Sequence, residues 1–265
     1  MKFKVSVLVP TVGARKAEII RLFESLNNQR YKFFEVVVVA QGNYDSMKKL
    51  CDAYSEKFDI VYISTDKKGL SRARNIGIRN LSGDIVLLSD DDCWYEKNAI
   101  ERIVEIFETK NDVDILLTQI FDPIANEPYK AYPQKSKKLT RLTELLSKSS
   151  IEIAFRKTDP VIDFDELFGL GGTYLAGEEN DFLIRSLKEN RRIRYEPFVT
   201  VYHEKKMPGE SNAQLIAKGA FYSKNFGFIV SNLVMLRDLL IKHQNNYRWF
   251  WNGYFDYKRH NKRMH

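Results

Sequence analysis

The chain has 265 residues, 44% of them hydrophobic and 29% charged, which excludes a disordered chain and suffices for one α/β domain plus an extension. A net charge of +7 points to an anionic partner, whether nucleic acid, a membrane surface or a phosphate-bearing substrate, but no RNP, zinc-finger or helix-turn-helix pattern supports nucleic acid. Two cysteines, Cys51 and Cys93, form no CxxC pattern and suit a reducing compartment, and no uncharged apolar run reaches the roughly 18 residues needed to span a bilayer.

Residues 5–9 read as a short apolar strand stopped by Pro10-Thr11. Met1-Lys2-Phe3-Lys4 ahead of it has no signal-peptide character, so a cytoplasmic protein, soluble or peripheral, is expected. Ile19, Ile20, Phe23 and Leu26 then recur at helical spacing. Residues 35–40, with four valines in succession, read as a second buried strand ending at Gln41-Gly42-Asn43. Asp45 can cap a helix to about residue 57, and 60–64 is a third strand. This rhythm predicts right-handed βαβ units and a parallel sheet, in which ligands bind beyond the carboxyl ends of the strands. Pro10-Thr11, Gln41-Gly42, Thr65-Asp66 and Asp90 to Asp92 all fall at such ends, so they should share one edge.

In the stretch from Lys67 to Ile78, Gly69 permits a turn, Ser71 can cap a helix, and Arg72 and Arg74 lie near its start. A helix N-terminus with two guanidinium groups attracts phosphate or the polar edge of a nucleotide; two surface arginines on an amphipathic helix are the plain alternative. Residues 85–88 are an apolar run that ends abruptly in Asp90-Asp91-Asp92. Three like charges at a strand exit are costly unless a cation offsets them or they face water on a loop. Carboxylates with no soft ligand nearby suit Mg²⁺ or Mn²⁺, which bind one or two carboxylates plus substrate phosphates. Cys93 beside them reads as a small buried side chain.

The order of these stretches resembles the family 2 glycosyltransferases of the GT-A fold. The resemblance rests on Pro10-Thr11, Glu35 to Val39, Gly69-x-x-x-Ala73-Arg74-Asn75-x-Gly77, and Gly83-Asp84 followed by Asp90-Asp91-Asp92. It continues through Phe164-Asp165-Glu166-x-Phe168-Gly169-x-Gly171, Gly177-Glu178-Glu179-Asn180-Asp181-Phe182 and Tyr195-Glu196-Pro197 running to His203. It implies an α/β fold of GT-A type, a Rossmann-like mixed sheet flanked by helices. Residues 1–208 would be the catalytic domain, with a nucleotide-binding half (1–109) and an acceptor half (110–208), and 209–265 a helical, aromatic and basic extension. The implied activity is metal-dependent, inverting transfer of a sugar from a nucleotide-diphosphate sugar, a UDP-sugar first of all, to a saccharide hydroxyl. The implied setting is synthesis of a bacterial capsule, exopolysaccharide or O-antigen.

By the same resemblance Pro10 and Thr11 line the base pocket, with Asp66 and Arg74 as further base contacts and Arg72 near the phosphates. The aspartate usual after strand two is replaced by Ala40-Gln41. A Gln amide can both donate to and accept from a pyrimidine edge, so Gln41 takes that role and the base stays open. Asp92 is the direct ligand of Mn²⁺ or Mg²⁺, Asp91 belongs to the same donor-binding cluster, and Asp90 reaches the ribose or metal-bound water. His203 is a metal or diphosphate ligand, or else a structural histidine, and Lys205 and Lys206 could close over the diphosphate. Inversion needs a general base on the acceptor hydroxyl. Glu179 matches the family's usual base position, with Asp181 and Glu178 in reserve; alternatively all three acids only complement a helix dipole.

Residues 113–118 and 151–156 read as strands, and 130–148, rich in lysine, proline and serine, as a mobile or acceptor-facing segment. Glycines in 169–172 suggest a turn whose backbone approaches the sugar. From Ser211 the pattern turns helical, over 215–226 and 228–241, and Tyr247 to Arg263 mixes aromatics with cations. That mixture suits an anionic membrane surface, at the inner face of the plasma membrane where a lipid-linked acceptor would lie, or else aromatics packed on the catalytic domain with the cations solvated. Two rival functions stand beside the first. One is a sugar-1-phosphate nucleotidyltransferase, whose glycine-rich phosphate loop fits residues 10–16 poorly; the other is a non-catalytic sugar-nucleotide-binding or assembly protein.

Overall fold

The computed structural model describes residues 2–158, 162–205, 211–241 and 247–264. The elements in chain order are β1 (Val5–Thr11), α1 (Lys16–Asn27), β2 (Phe34–Ala40), α2 (Tyr44–Tyr54), β3 (Asp59–Ser64), α3 (Leu70–Ile78), β4 (Ile85–Leu88), β5 (Trp94–Tyr95) and α4 (Ala99–Thr109). They continue with β6 (Ile115–Asp122), β7 (Glu127–Pro128), β8 (Lys137–Leu139), β9 (Ile153–Arg156), α5 (Glu178–Lys188), β10 (Ile193–Tyr202), α6 (Asn212–Asn225), α7 (Gly227–Ile241) and α8 (Tyr247–Met264).

One sheet carries the order β3-β2-β1-β4-β9-β6-β10-β5, with β7 on β6 and β8 on β10. The first four strands are parallel, as the βαβ rhythm predicts. The second half mixes directions: β9 runs antiparallel between β4 and β6, while β10 runs parallel to β6. Pro197, which cannot donate to a ladder, sits where the β10–β6 register breaks between Tyr195 and Val199.

Side chains of β1 and β2 alternate between two cores, as strand geometry requires of a sheet covered on both faces. Val5, Val7, Val9, Val36 and Val38 face α1, α2 and α4 through Phe23, Met47 and Phe107. Leu8, Val37 and Val39 face α3 and α5, and the same core takes in Phe221 of α6 and Phe250 of α8. Helix α3 lies directly on β1 because Gly77 has no side chain; a Cβ there would stand 2.1 Å from a Leu8 methyl. Among the described residues no helix is long and apolar enough to cross a membrane.

Three local expectations change. Gly69 rather than Ser71 stands at the N-cap of α3, and Ser71 Oγ instead donates to the Phe168 carbonyl at 2.6 Å. Asn43 precedes α2, with Asp45 inside its first turn. The segment 130–148 is pinned rather than loose: β8 pairs with β10, Lys130 is ion-paired to the buried Glu152, and Lys137 meets Glu144 at 2.9 Å.

The Glu35 carboxylate ties β2 to β1 and to the turn before β4, accepting from Ser6 Oγ, Ser82 Oγ and the Ser82 N–H, each at 2.6 Å. Burial alone would raise its pKa, but these donors and Lys4 outweigh it and hold the carboxyl down to about 2. Its stabilisation is therefore complete above the ordinary carboxylate range and lost as pH falls through the window toward about 2. Glu35→Gln is expected to lower the unfolding free energy by ~1–3 kcal/mol at neutral pH in urea titration, with the gap to wild type closing as pH falls through that window.

Candidate active site

The carboxyl ends of β1, β2 and β4, the end of β10 and the start of α5 enclose a cavity of about 470 Å³. Pro10, Thr11, Gln41, Asp90, Asp91, Asp92, Glu178, Glu179 and His203 line it, so most of the sequence candidates meet in one place.

The three aspartates have different partners. Asp90 receives the Arg74 guanidinium at 3.2 Å and the Ser150 hydroxyl at 3.4 Å. Asp91 accepts from Thr11 Oγ1 at 2.6 Å and pairs with Arg15 at 3.3 Å. Burial raises its pKa against the pull of Thr11 and Arg15, and its two aspartate neighbours raise it further. Asp92 is ion-paired to Arg15, and its Oδ1 stands 3.2 Å from His203 Nε2. The His203 N–H donates to the Phe121 carbonyl at 3.0 Å, and Asp122 caps the chain two residues on through the Lys205 N–H at 2.8 Å.

On the opposite wall, Gly177 turns the chain into α5 so that Glu178 and Glu179 open the helix. Glu178 is buried and accepts from Arg74 at 3.3 Å. Glu179 is half-buried, and its pKa is pushed well above the ordinary range, first by burial and then by the adjacent Glu178 charge. A carboxyl whose pKa is raised in this way at a cavity wall is a candidate proton acceptor.

Four candidates lie elsewhere. Arg74 is wholly buried between Asp90 and Glu178, so it joins the two walls rather than meeting a base. Arg72 lies outside the lining and pairs with Glu166 at 2.7 Å. Asp66 is exposed and also outside the lining. Asp181 is fully buried against Arg185 and Lys224, both at 2.8 Å, on the far side of α5, which removes it as a reserve base. Lys206 falls outside the described residues, and Lys205 is ion-paired to Glu127.

The glycine turn also acts differently from expectation. Gly171 packs on Gly69, where a Cβ would come within 3.1 Å of the Gly69 Cα, and the Leu70 N–H donates to the Leu170 carbonyl at 2.8 Å. The turn therefore clamps the start of α3, and Leu170 and Gly171 still reach the cavity. Arg15, Lys68 and Ser150 line the cavity without having been singled out. The available signal was a cation following strand one and another preceding the Gly69 turn.

A divalent cation fits this chemistry when it arrives with phosphate. Among the described residues no three His, Cys, Asp or Glu side chains converge as a ready cage. Asp92 and His203 do converge, and the position between Asp91 and Asp92 already attracts a cation, the Arg15 guanidinium. Two protein donors completed by phosphate and water is a normal site for Mg²⁺ or Mn²⁺. Cys93 is a buried thiol with its pKa pushed up to about 12 by burial, and it contributes no ligand. Gln41 lines the cavity, and its Oε1 is a buried acceptor with no hydrogen-bond partner among the described residues.

Residues 6–164 match the family described as Glycosyl transferase family 2. The chain belongs to that family. It is 34% identical over 114 residues to the glycosyltransferase GlyA of Streptococcus pneumoniae, an alignment spanning 42% of this chain and only 16% of that relative. It superposes on S. aureus TarS in complex with UDP-GlcNAc with a TM-score of 0.66 and 20% identity, covering 96% of this chain and 71% of the other. It also superposes on the mannosyltransferase PcManGT from Pyrobaculum calidifontis, in complex with GDP-Man and Mn²⁺, with a TM-score of 0.61 and 16% identity, covering 85% and 64%. The fold of this glycosyltransferase is GT-A, and the nucleotidyltransferase alternative is set aside.

The burial of Arg74 gives the site a stability test. Arg74→Met would leave Asp90 and Glu178 without their shared cation and is expected to cost ~3–5 kcal/mol in urea unfolding. Arg74→Lys should recover only part of the loss, because an ammonium cannot present the guanidinium fork to both acids.

Proposed function

We propose that this glycosyltransferase moves a sugar, with inversion, from a UDP-sugar to a hydroxyl of a growing glycan of the bacterial surface. The observation that carries this reading is a single cavity lined both by a cluster of Asp91, Asp92, His203 and Arg15 and by a helix-opening acid of raised pKa, Glu179. Uridine is favoured by the unpaired Gln41 acceptor, which an imide N–H would satisfy, and by the UDP-GlcNAc bound to TarS. The surface-glycan acceptor, carried on lipid, is the part of the reading that rests on the habit of the family alone.

Asp92 and His203 would hold the divalent cation, Mn²⁺ or Mg²⁺, whose chemistry is to offset the negative charge of the diphosphate. Arg15, beside the aspartates, and Lys68, elsewhere in the lining, add positive charge to the cavity. Thr11 and Gln41 orient the nucleoside, and the Leu170–Gly171 backbone borders the sugar. Glu179 accepts the proton of the acceptor hydroxyl as its oxygen attacks the anomeric carbon. The bond from that carbon to the diphosphate breaks on the opposite face, and its electron pair leaves with the diphosphate.

Glu179 works in its ionised form, so transfer should fall as pH drops through a value above the ordinary carboxylate range. Glu179→Gln is expected to reduce kcat by ~10²–10⁴-fold in a donor-consumption assay. Because its folded pKa is raised, ionisation of Glu179 works against folding as pH rises, and the same variant should melt later than wild type at alkaline pH. Undiminished transfer by this variant would remove Glu179 as base. Asp92→Ala is expected to abolish Mn²⁺-dependent UDP binding in calorimetry while the fold persists; wild-type protein that binds no UDP with Mn²⁺ would favour a non-catalytic assembly protein.

A further inference from the structure

Helix α7 is apolar on two faces. Its inward face packs Val234 and Met235 on the core and buries Ser231 and the charged Asp238, which is ion-paired to Lys218 of α6 and to Arg237. Its outward face carries Ile229 (77% exposed), Leu233 (62%), Leu236 (48%) and Leu240 (65%), a stripe at i, i+4, i+7 and i+11. Exposed single leucines are ordinary, but a contiguous helical stripe marks a surface that something covers. The apolar surface continues into α8: Phe228 lies 5.4 Å from Trp251, which lies 5.8 Å from Phe255, and Phe228 and Phe255 are exposed.

The charge around this patch selects its occupant. Residues 211–265 hold nine Lys or Arg against two Asp, so the whole net charge of +7 resides there and residues 1–210 are balanced. Arg248, Lys258, Arg259 and Lys262 stand exposed on α8. A second copy docking on this patch would bring like charge against like charge. With 15 residues, α7 is too short to span a bilayer but can lie within its interface.

We propose that the α7 stripe and the α8 aromatic and basic face dock onto an anionic lipid surface, with the leucines and Phe228 entering the headgroup boundary and the cations pairing with lipid phosphates. The surface is separate from the catalytic cavity, so its test reads vesicle binding and leaves the catalytic reading untouched.

The probe is flotation of the full chain with phosphatidylcholine vesicles, with and without phosphatidylglycerol. Wild type should float with the anionic vesicles, at least about tenfold more tightly than with the neutral ones, and binding should weaken with salt. Leu233→Gln with Leu236→Gln changes only exposed side chains and should weaken anionic binding by about tenfold or more, as should Arg259→Glu with Lys262→Glu. Failure of wild type to float, or full binding by both double variants, overturns the proposal. So does a wild-type dimer in sedimentation that Leu233→Gln with Leu236→Gln dissociates, since the stripe would then belong to a second copy.

Discussion

One buried guanidinium holds the two walls of the site together. Arg74, on α3, reaches the exit of β4 through Asp90 and the first turn of α5 through Glu178. The guanidinium is wholly buried, and burying it without these two carboxylates would be costly. The geometry of a planar fork fixes both contacts at once. The spacing of Asp90 and Glu178 is thus set by a side chain that contacts both from behind and does not itself line the cavity. Phe164 packs over the guanidinium at 5.3 Å, and Asn75 secures Phe164 by a reciprocal pair, accepting from its N–H at 2.7 Å and donating to its carbonyl at 2.9 Å. The Ala73-Arg74-Asn75 run therefore works as one part: a small residue against the sheet, a bridge between acids, and an anchor for the 162–172 segment.

Around that bridge the site gathers more negative charge than its resident cations neutralise. Asp91 is raised by burial even with Thr11 and Arg15 pulling it down, and Glu179 is raised further by burial and its neighbour. A cavity in this condition is preorganised for added positive charge on one wall and for proton uptake on the other. These are the two demands of displacing a diphosphate with a hydroxyl. Arg15 occupies the aspartate pair from the loop before α1, its side chain 41% exposed, so it can move when a better cation arrives with phosphate.

The first four strands and the shared edge of their carboxyl ends were legible because buried parallel strands are continuous apolar runs, and the polar residues that end them are conspicuous; their order across the sheet was not. Most cavity-lining candidates were legible for the same reason. Residues whose meaning depends on a partner distant in the chain were not. Arg74 and Asp181 looked like site residues by position, yet each points to ion pairs formed in three dimensions. Gly171 looked like a sugar contact until Gly69 was brought against it. Gly219 and Gly253 carried no signal at all, but each faces a backbone carbonyl of the other helix, within 2 Å of where a Cβ would stand, and so sets the contact of α6 with α8. The direction of β9 was equally hidden, since an apolar run has no polarity of its own.

Net charge gave the weakest sequence clue, because three kinds of anionic partner satisfied it. Its position along the chain separates them. The 210 residues that build the sheet and the cavity are neutral in sum, so affinity for a nucleotide diphosphate there must come from a few placed groups rather than from a general field. The surplus cations belong to the helices that also expose leucine and phenylalanine. A phosphate-binding cleft has no use for an apolar stripe, and a nucleic acid has little; an interface of lipid headgroups uses both. The neutral sheet-and-cavity region and the basic, apolar helices thus present different surfaces, and the charge that the sequence shows only as a sum is carried by the second.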